Sequence, residues 1–149
     1  MKSLAAIDRS IIRTCLRISG PLSRFALFVA YGWFGFLKVI GQSPASPLVT
    51  ALQERTIPFM EPGTFLVVFG IIEVIIGIMF LVRGWERVAI LFLAIHLFTT
   101  GGPLIFLPEY TWTGFLMPTL EGQYIIKNLA LAAVAIGIAA HLTPMDRHR

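Results

Sequence analysis

Residues 63–82, Gly63-Thr-Phe-Leu-Val-Val-Phe-Gly-Ile-Ile-Glu-Val-Ile-Ile-Gly-Ile-Met-Phe-Leu-Val82, form an apolar run interrupted by one ionisable side chain, Glu73. At ~1.5 Å per residue, such a run crosses the ~30 Å hydrocarbon core of a bilayer as an α-helix. It lacks the two-residue alternation of a barrel strand, and a lone strand cannot pair its backbone in lipid. Gly70, Glu73 and Gly77 fall on one stripe of this helix, where small residues allow a neighbour to approach closely.

Three further runs of similar length surround it, at residues 22–40, 87–107 and 124–142. The composition agrees: of 149 residues, 56% are hydrophobic and 13% charged, with a mean hydropathy of +0.81. The chain therefore reads as a single all-α membrane domain, a four-helix bundle in contact with the lipid bilayer. It is too short to add a large catalytic domain. The single cysteine, Cys15, excludes an internal disulfide, a paired-thiol centre and a multi-cysteine metal site. No glycine-rich phosphate loop, G-x-S-x-G elbow or H-E-x-x-H pair is present, so no nucleotide, acyl-transfer or zinc-protease chemistry is expected, and His96 as the one histidine within a membrane segment gives no expectation of a metal or haem cofactor.

Lys2, Arg9, Arg13, Arg17, Arg24, Arg83, Arg87, Arg147 and Arg149 fall on one side of the four spans, against Arg55 in the opposite loops. By the positive-inside rule both termini are cytoplasmic. This concentrates the net charge of +4 on one membrane face and gives no nucleic-acid patch. Tyr110, Trp112 and Tyr124 suit an outer aromatic belt and Trp85 an inner one.

Residues 4–19 read as an amphipathic interfacial helix, with Ile7, Ile11, Ile12, Cys15 and Ile18 on one face and Arg9, Arg13 and Arg17 every fourth residue. The arginines would meet lipid phosphate, with Gly20-Pro21 ending the helix; a partner-binding helix is the other reading. The first outer loop, residues 41–62, carries Pro44, Pro47, Pro58 and Pro62 and reads as a shaped connection over the outer mouth of the bundle. The short turn between residues 82 and 87 makes spans two and three antiparallel neighbours.

Lys38, Glu73 and Lys127 lie in or at the edge of apolar spans, where an unpartnered charge costs several kcal/mol, so they are expected to face the interior. Counted from the inner boundary, Lys38 and Lys127 lie ~21 and ~22 Å up, and Glu73 ~15 Å up, close enough to form a cluster. Tyr31, Phe34, Gly35 and Lys38 line one stripe of span one, and Lys127, Ala130, Ala133, Gly137 and Ala140 one stripe of span four. Aromatic surface beneath an ammonium suits a flat, polar-headed, lipid-soluble molecule such as a quinone. Span three is broken at Thr99-Thr100-Gly101-Gly102-Pro103, whose freed carbonyls either lysine could meet. His96 shares a face with Thr99 and Thr100. Each position also has a structural reading: snorkelling for the lysines, a lysine partner for Glu73, and a core histidine bonded to a threonine for His96.

These residues resemble the DoxX-like superfamily of four-helix membrane proteins, and most closely its reactive-chlorine-resistance inner-membrane family, formerly labelled DUF417. The resemblance runs from Tyr31 to Ala140. It rests on Trp33-Phe-Gly-Phe-Leu-Lys38, Ser46-Pro47-Leu48, Ile72-Glu-Val-Ile-Ile-Gly77, Phe98-Thr-Thr100 with Pro103-Leu104, and Gly122-Gln-Tyr-Ile-Ile-Lys127. It implies a bacterial inner-membrane protein linked to quinone-dependent or redox-stress chemistry, with Lys38, Glu73 and Lys127 at the family's polar positions. His96 lies outside that pattern. Relatives that exchange thiols use cysteine pairs, which this chain lacks.

Three functions remain open on the sequence. One is a redox-associated protein that binds quinone or a similar amphipathic molecule through Lys38, Glu73, Lys127, Tyr31, Phe34, Thr99, Thr100 and His96, as a subunit of an oxidoreductase or as a homo-oligomer. Another is a non-catalytic accessory subunit of a larger respiratory or photosynthetic complex. The third is a small-solute carrier, for which four helices without an inverted repeat are a poor frame. The sequence leaves open whether any catalysis is intrinsic to the chain, and a stand-alone enzyme is the less expected outcome.

Overall fold

The computed structural model describes residues 2–144, with side chains from residue 4 onward, so Arg147 and Arg149 lie outside the described residues. In chain order the elements are α1 (Lys2–Phe28), a π-helical segment (Val29–Trp33), α2 (Phe34–Val39), α3 (Ser46–Thr56), α4 (Pro62–Leu81), α5 (Glu86–Gly101), α6 (Pro103–Phe106), α7 (Pro108–Thr111), β1 (Trp112–Gly114), β2 (Met117–Pro118) and α8 (Leu120–Ala139). Four helices among the described residues are long and apolar enough to cross a membrane. The chain is thus a multi-pass helical membrane protein, as its composition requires.

Span one is α1 with its π-helical and α2 continuation; spans two to four are α4, α5–α6 and α8. Span one packs on α4, α4 on α5, α5 on α8, and α8 back on α1, so the four close into a ring. The tightest seam joins spans one and two: a Cβ on Gly77 would stand 2.5 Å from the Gly32 nitrogen, and one on Gly35 2.7 Å from the Gly70 carbonyl oxygen. The Gly70/Glu73/Gly77 stripe therefore faces span one, as its small residues lead one to expect.

We call the side holding the turn between α4 and α5 the turn face, and the side holding α3 and the 102–119 segment the loop face. Leu27, Ile76, Phe80, Ala89, Leu93 and Ala135 pack as an apolar plug in the turn-face half. A partly buried ion pair at that end joins Arg24 to the buried Glu86. Glu86 stands in the first turn of α5, where a carboxylate also complements the helix dipole. Arg87 donates to the Thr143 carbonyl and ties span three to the end of span four.

The loop face is capped by short elements. Gln53 of α3, 1% exposed, donates to the carbonyls of Ile57 (2.6 Å) and Met60 (2.8 Å). Thr111 donates to the Pro103 and Leu107 carbonyls, and Trp112 Nε1 to the Leu104 carbonyl. The two β-strands form a small antiparallel hairpin. Glu61 caps α4 by accepting from the Gly63 and Thr64 N–H groups, and the Thr119 hydroxyl caps α8 through Gly122 N–H.

Several expectations are corrected. Gly20-Pro21 does not end the first helix: α1 runs through Pro21 into span one. Proline removes the bond to the Arg17 carbonyl, and both Arg17 and Pro21 are exposed residues, so water or lipid headgroups can meet that carbonyl and the helix survives the loss. The connection at 41–62 holds an eleven-residue helix, α3, packed against α4 and α6; Pro47 is compatible with its first turn. Span four starts at Leu120, four residues earlier than expected, because Thr119 supplies the cap.

Candidate functional site

In the half of the bundle nearer the loop face, Lys38, Glu73 and His96 converge from three spans. Each is 6% exposed. Lys38 Nζ donates to Glu73 Oε2 at 2.5 Å, and Glu73 Oε1 lies 3.1 Å from His96 Nε2. One carboxylate therefore bridges an ammonium and an imidazole.

Local structure explains the convergence. Gly35 and Gly70 let the backbones of the antiparallel spans one and two touch, which sets Glu73 opposite Gly35 and Lys38 opposite Gly70, and the two side chains reach toward each other along the seam. The Lys38 side chain runs inward to the carboxylate and does not snorkel. Both charges are out of water, where each is tolerated only because the other neutralises it.

Aromatic rings hold the histidine. Its ring stacks on Phe69, with centroids 4.8 Å apart and planes at 27°, and takes Tyr31 edge-on at 5.1 Å. The Lys38 ammonium also lies 5.8 Å from the Phe69 centroid. The contact between Nε2 and Oε1 is close but not aligned as a hydrogen bond, and among the described residues neither His96 ring nitrogen has a hydrogen-bond partner. His96 is thus an immobilised ring with one nitrogen facing a carboxylate and the other free.

The remaining expected residues lie elsewhere. Lys127 is exposed on α8, 5.2 Å from the ring centroid of Tyr124 one turn away, and takes no part in the cluster. The stripe it shares with Ala130, Ala133, Gly137 and Ala140 faces outward. The wide turn at Val29–Trp33 uses more residues per revolution than an α-helix, so Phe34 falls short of the stripe shared by Tyr31, Gly35 and Lys38. Phe34 is consequently 52% exposed. Thr99 and Thr100 do not bond the imidazole; both hydroxyls donate to the His96 backbone carbonyl, at 2.8 and 2.9 Å. Within the break whose carbonyls the lysines were expected to meet, the Thr99 carbonyl instead accepts from the Gly102 N–H at 3.1 Å. Arg9, Arg13 and Arg17 are exposed along α1.

Phe69, Arg24, Glu86 and Gln53 carry structure that the sequence reading passed over. A buried Glu one residue before Arg87 looks like loop charge unless its distant partner is known.

Two surface hollows among the described residues include no triad residue. One of about 260 Å³ lies between α3 and the 107–110 segment, lined by Arg55, Glu54, Glu109 and Tyr110. The other, about 280 Å³ and apolar, lies beside the π-helical segment against Val74 and Ile78. The exposed ion pair Arg55–Glu109, at 2.9 Å, spans the first. The chain matches no protein-family model, no curated protein and no solved structure.

Proposed function

We propose that this chain is a redox-associated bacterial inner-membrane protein of DoxX-like type, with both termini cytoplasmic, whose triad receives the polar head of quinone or a similar amphipathic molecule. The observation that carries the reading is a buried Lys38–Glu73 pair beside a histidine with no hydrogen-bond partner, set on an apolar plug. Groups of this kind are costly in a bilayer, and stability alone does not repay them. Phe69 and Tyr31 provide aromatic surface at the same point. With Lys38 held by Glu73 and Lys127 exposed on another face, His96 is the member of the set that makes the ligand contact.

The apolar plug below the triad offers no support for a conduit across the bundle. Purification in mild detergent, followed by mass spectrometry of every co-purifying protein and extracted quinone, tests the proposal. Recovery with a quinone near one per chain is the expected result. Recovery only inside a larger complex, with no ligand of its own, would favour the second reading.

That second reading, an accessory subunit, has one observation in its favour. Residues 4–20 of α1 are exposed throughout, including Leu4, Ile7, Ile11 and Ile18, and such an apolar stripe needs either the bilayer surface or another protein to cover it.

A further inference from the structure

The tautomer of His96 follows from its neighbours. A carboxylate oxygen 3.1 Å from Nε2 favours the proton on that nitrogen, because N–H is attracted to negative charge and a bare lone pair is repelled by it. Nδ1 is then an acceptor with nothing to accept from: it is buried and without a partner among the described residues. The other charged or titratable groups around the ring are Lys38 and Tyr31 from span one. Lys38 donates to Glu73, and Tyr31 presents its ring edge-on to the imidazole. A neutral imidazole backed by a carboxylate is also the arrangement in which a ring nitrogen takes a proton from a hydroxyl.

Resting on the reading that the triad holds a quinone-class head, we infer that His96 Nδ1 accepts a hydrogen bond from a ligand hydroxyl, so that the site selects the reduced, hydroxyl-bearing quinol or phenol over the carbonyl-bearing quinone. A quinone carbonyl would set lone pair against lone pair at Nδ1. The same contact allows proton transfer: the ligand O–H bond breaks, the Nδ1–H bond forms, the electron pair stays on oxygen, and no electron leaves the ligand. The imidazolium is held by Glu73, and the phenolate balances its charge. The site therefore remains neutral overall, as a low-dielectric interior requires.

The full-length protein in phosphatidylcholine nanodiscs, kept anaerobic, would be titrated with a short-chain benzoquinol, the matching benzoquinone and the quinol's dimethyl ether. We expect the quinol to bind at least about tenfold tighter than the other two, corresponding to one buried polar group left unpaired, and His96→Phe to abolish that preference. Equal affinity for quinol and quinone in the wild type, or a preference that survives in His96→Phe, would overturn the inference and leave the broader binding proposal standing. Binding of none of the three would overturn both. Nitrogen-15 NMR of histidine-labelled wild-type protein gives a second reading that does not depend on the variant folding. A proton on Nε2 with a bare Nδ1 is expected at His96, and the opposite tautomer would overturn the inference.

Discussion

Gly35 and Gly70 meet backbone to backbone: a Cβ on either would stand 2.7 Å from the carbonyl oxygen of the other. That contact sets the distance between spans one and two, and hence the meeting of Lys38, which stands opposite Gly70, with Glu73, which stands opposite Gly35. Gly77 repeats it against Gly32 toward the turn face, with 2.5 Å to the Gly32 nitrogen. Because the opposing atoms are backbone and cannot swing aside, Gly35→Ala and Gly77→Ala should each destabilise the bundle by about 1–3 kcal/mol. Gly137→Ala, which meets nothing within 4 Å, should be neutral or slightly stabilising. Melting temperatures in one detergent would separate the two outcomes.

Removing one partner of the Lys38–Glu73 pair leaves the other charge buried. Lys38→Met or Glu73→Leu alone should cost about 3–5 kcal/mol, and the double replacement clearly less than the sum of the two. Additive losses would mean that the pair is not formed in the folded protein.

Two carboxylates on the loop face respond to acid. The Thr64 and Gly63 N–H groups at the start of α4 hold Glu61 below the usual carboxylate range, and the hydrogen bond from Arg55 does the same for Glu109. A lowered folded value means that the ionised form favours the fold. Its contribution is complete above the unfolded carboxylate value and disappears as pH falls through the folded one. Melting temperature should therefore drop less between pH ~5 and ~3 in Glu61→Ala than in the wild type; parallel curves would show that the cap contributes nothing.

Cys15 is exposed and is the chain's sole cysteine, so it reports on α1 without mutagenesis. If Arg9, Arg13 and Arg17 hold this helix against anionic lipid, a nitroxide on Cys15 should be reached more readily by oxygen than by polar reagents in nanodiscs containing phosphatidylglycerol. It should become water-accessible when the three arginines are changed to glutamine. Water accessibility in the wild type would point to a protein partner or a free helix.

Much of this architecture is legible in the sequence because hydropathy is a local property. A twenty-residue apolar run declares itself, and the glycines around Glu73 mark the face that touches a neighbour. What fails is phase and pairing. One wide turn at Val29–Trp33 moves Phe34 out of the stripe that holds Tyr31. Span four is apolar nearly all round, so nothing in its pattern shows that Lys127 points outward. Gly20-Pro21 looks like a terminus, yet in an exposed stretch the lost hydrogen bond is too cheap to end the helix. His96 and Phe69 become a site only when spans two and three are in contact, and no spacing within either span reveals that.

The most direct test of the binding site is to purify wild type, Glu73→Gln and Lys127→Met from native membranes in parallel and measure bound lipid-soluble ligand per folded chain. We expect near-stoichiometric ligand in the wild type and in Lys127→Met, and at least a tenfold loss in Glu73→Gln, which removes the charge bridging Lys38 and His96 at nearly unchanged shape. Equal ligand content in Glu73→Gln and wild type would contradict a ligand role for the triad and leave it as a structural lock between spans.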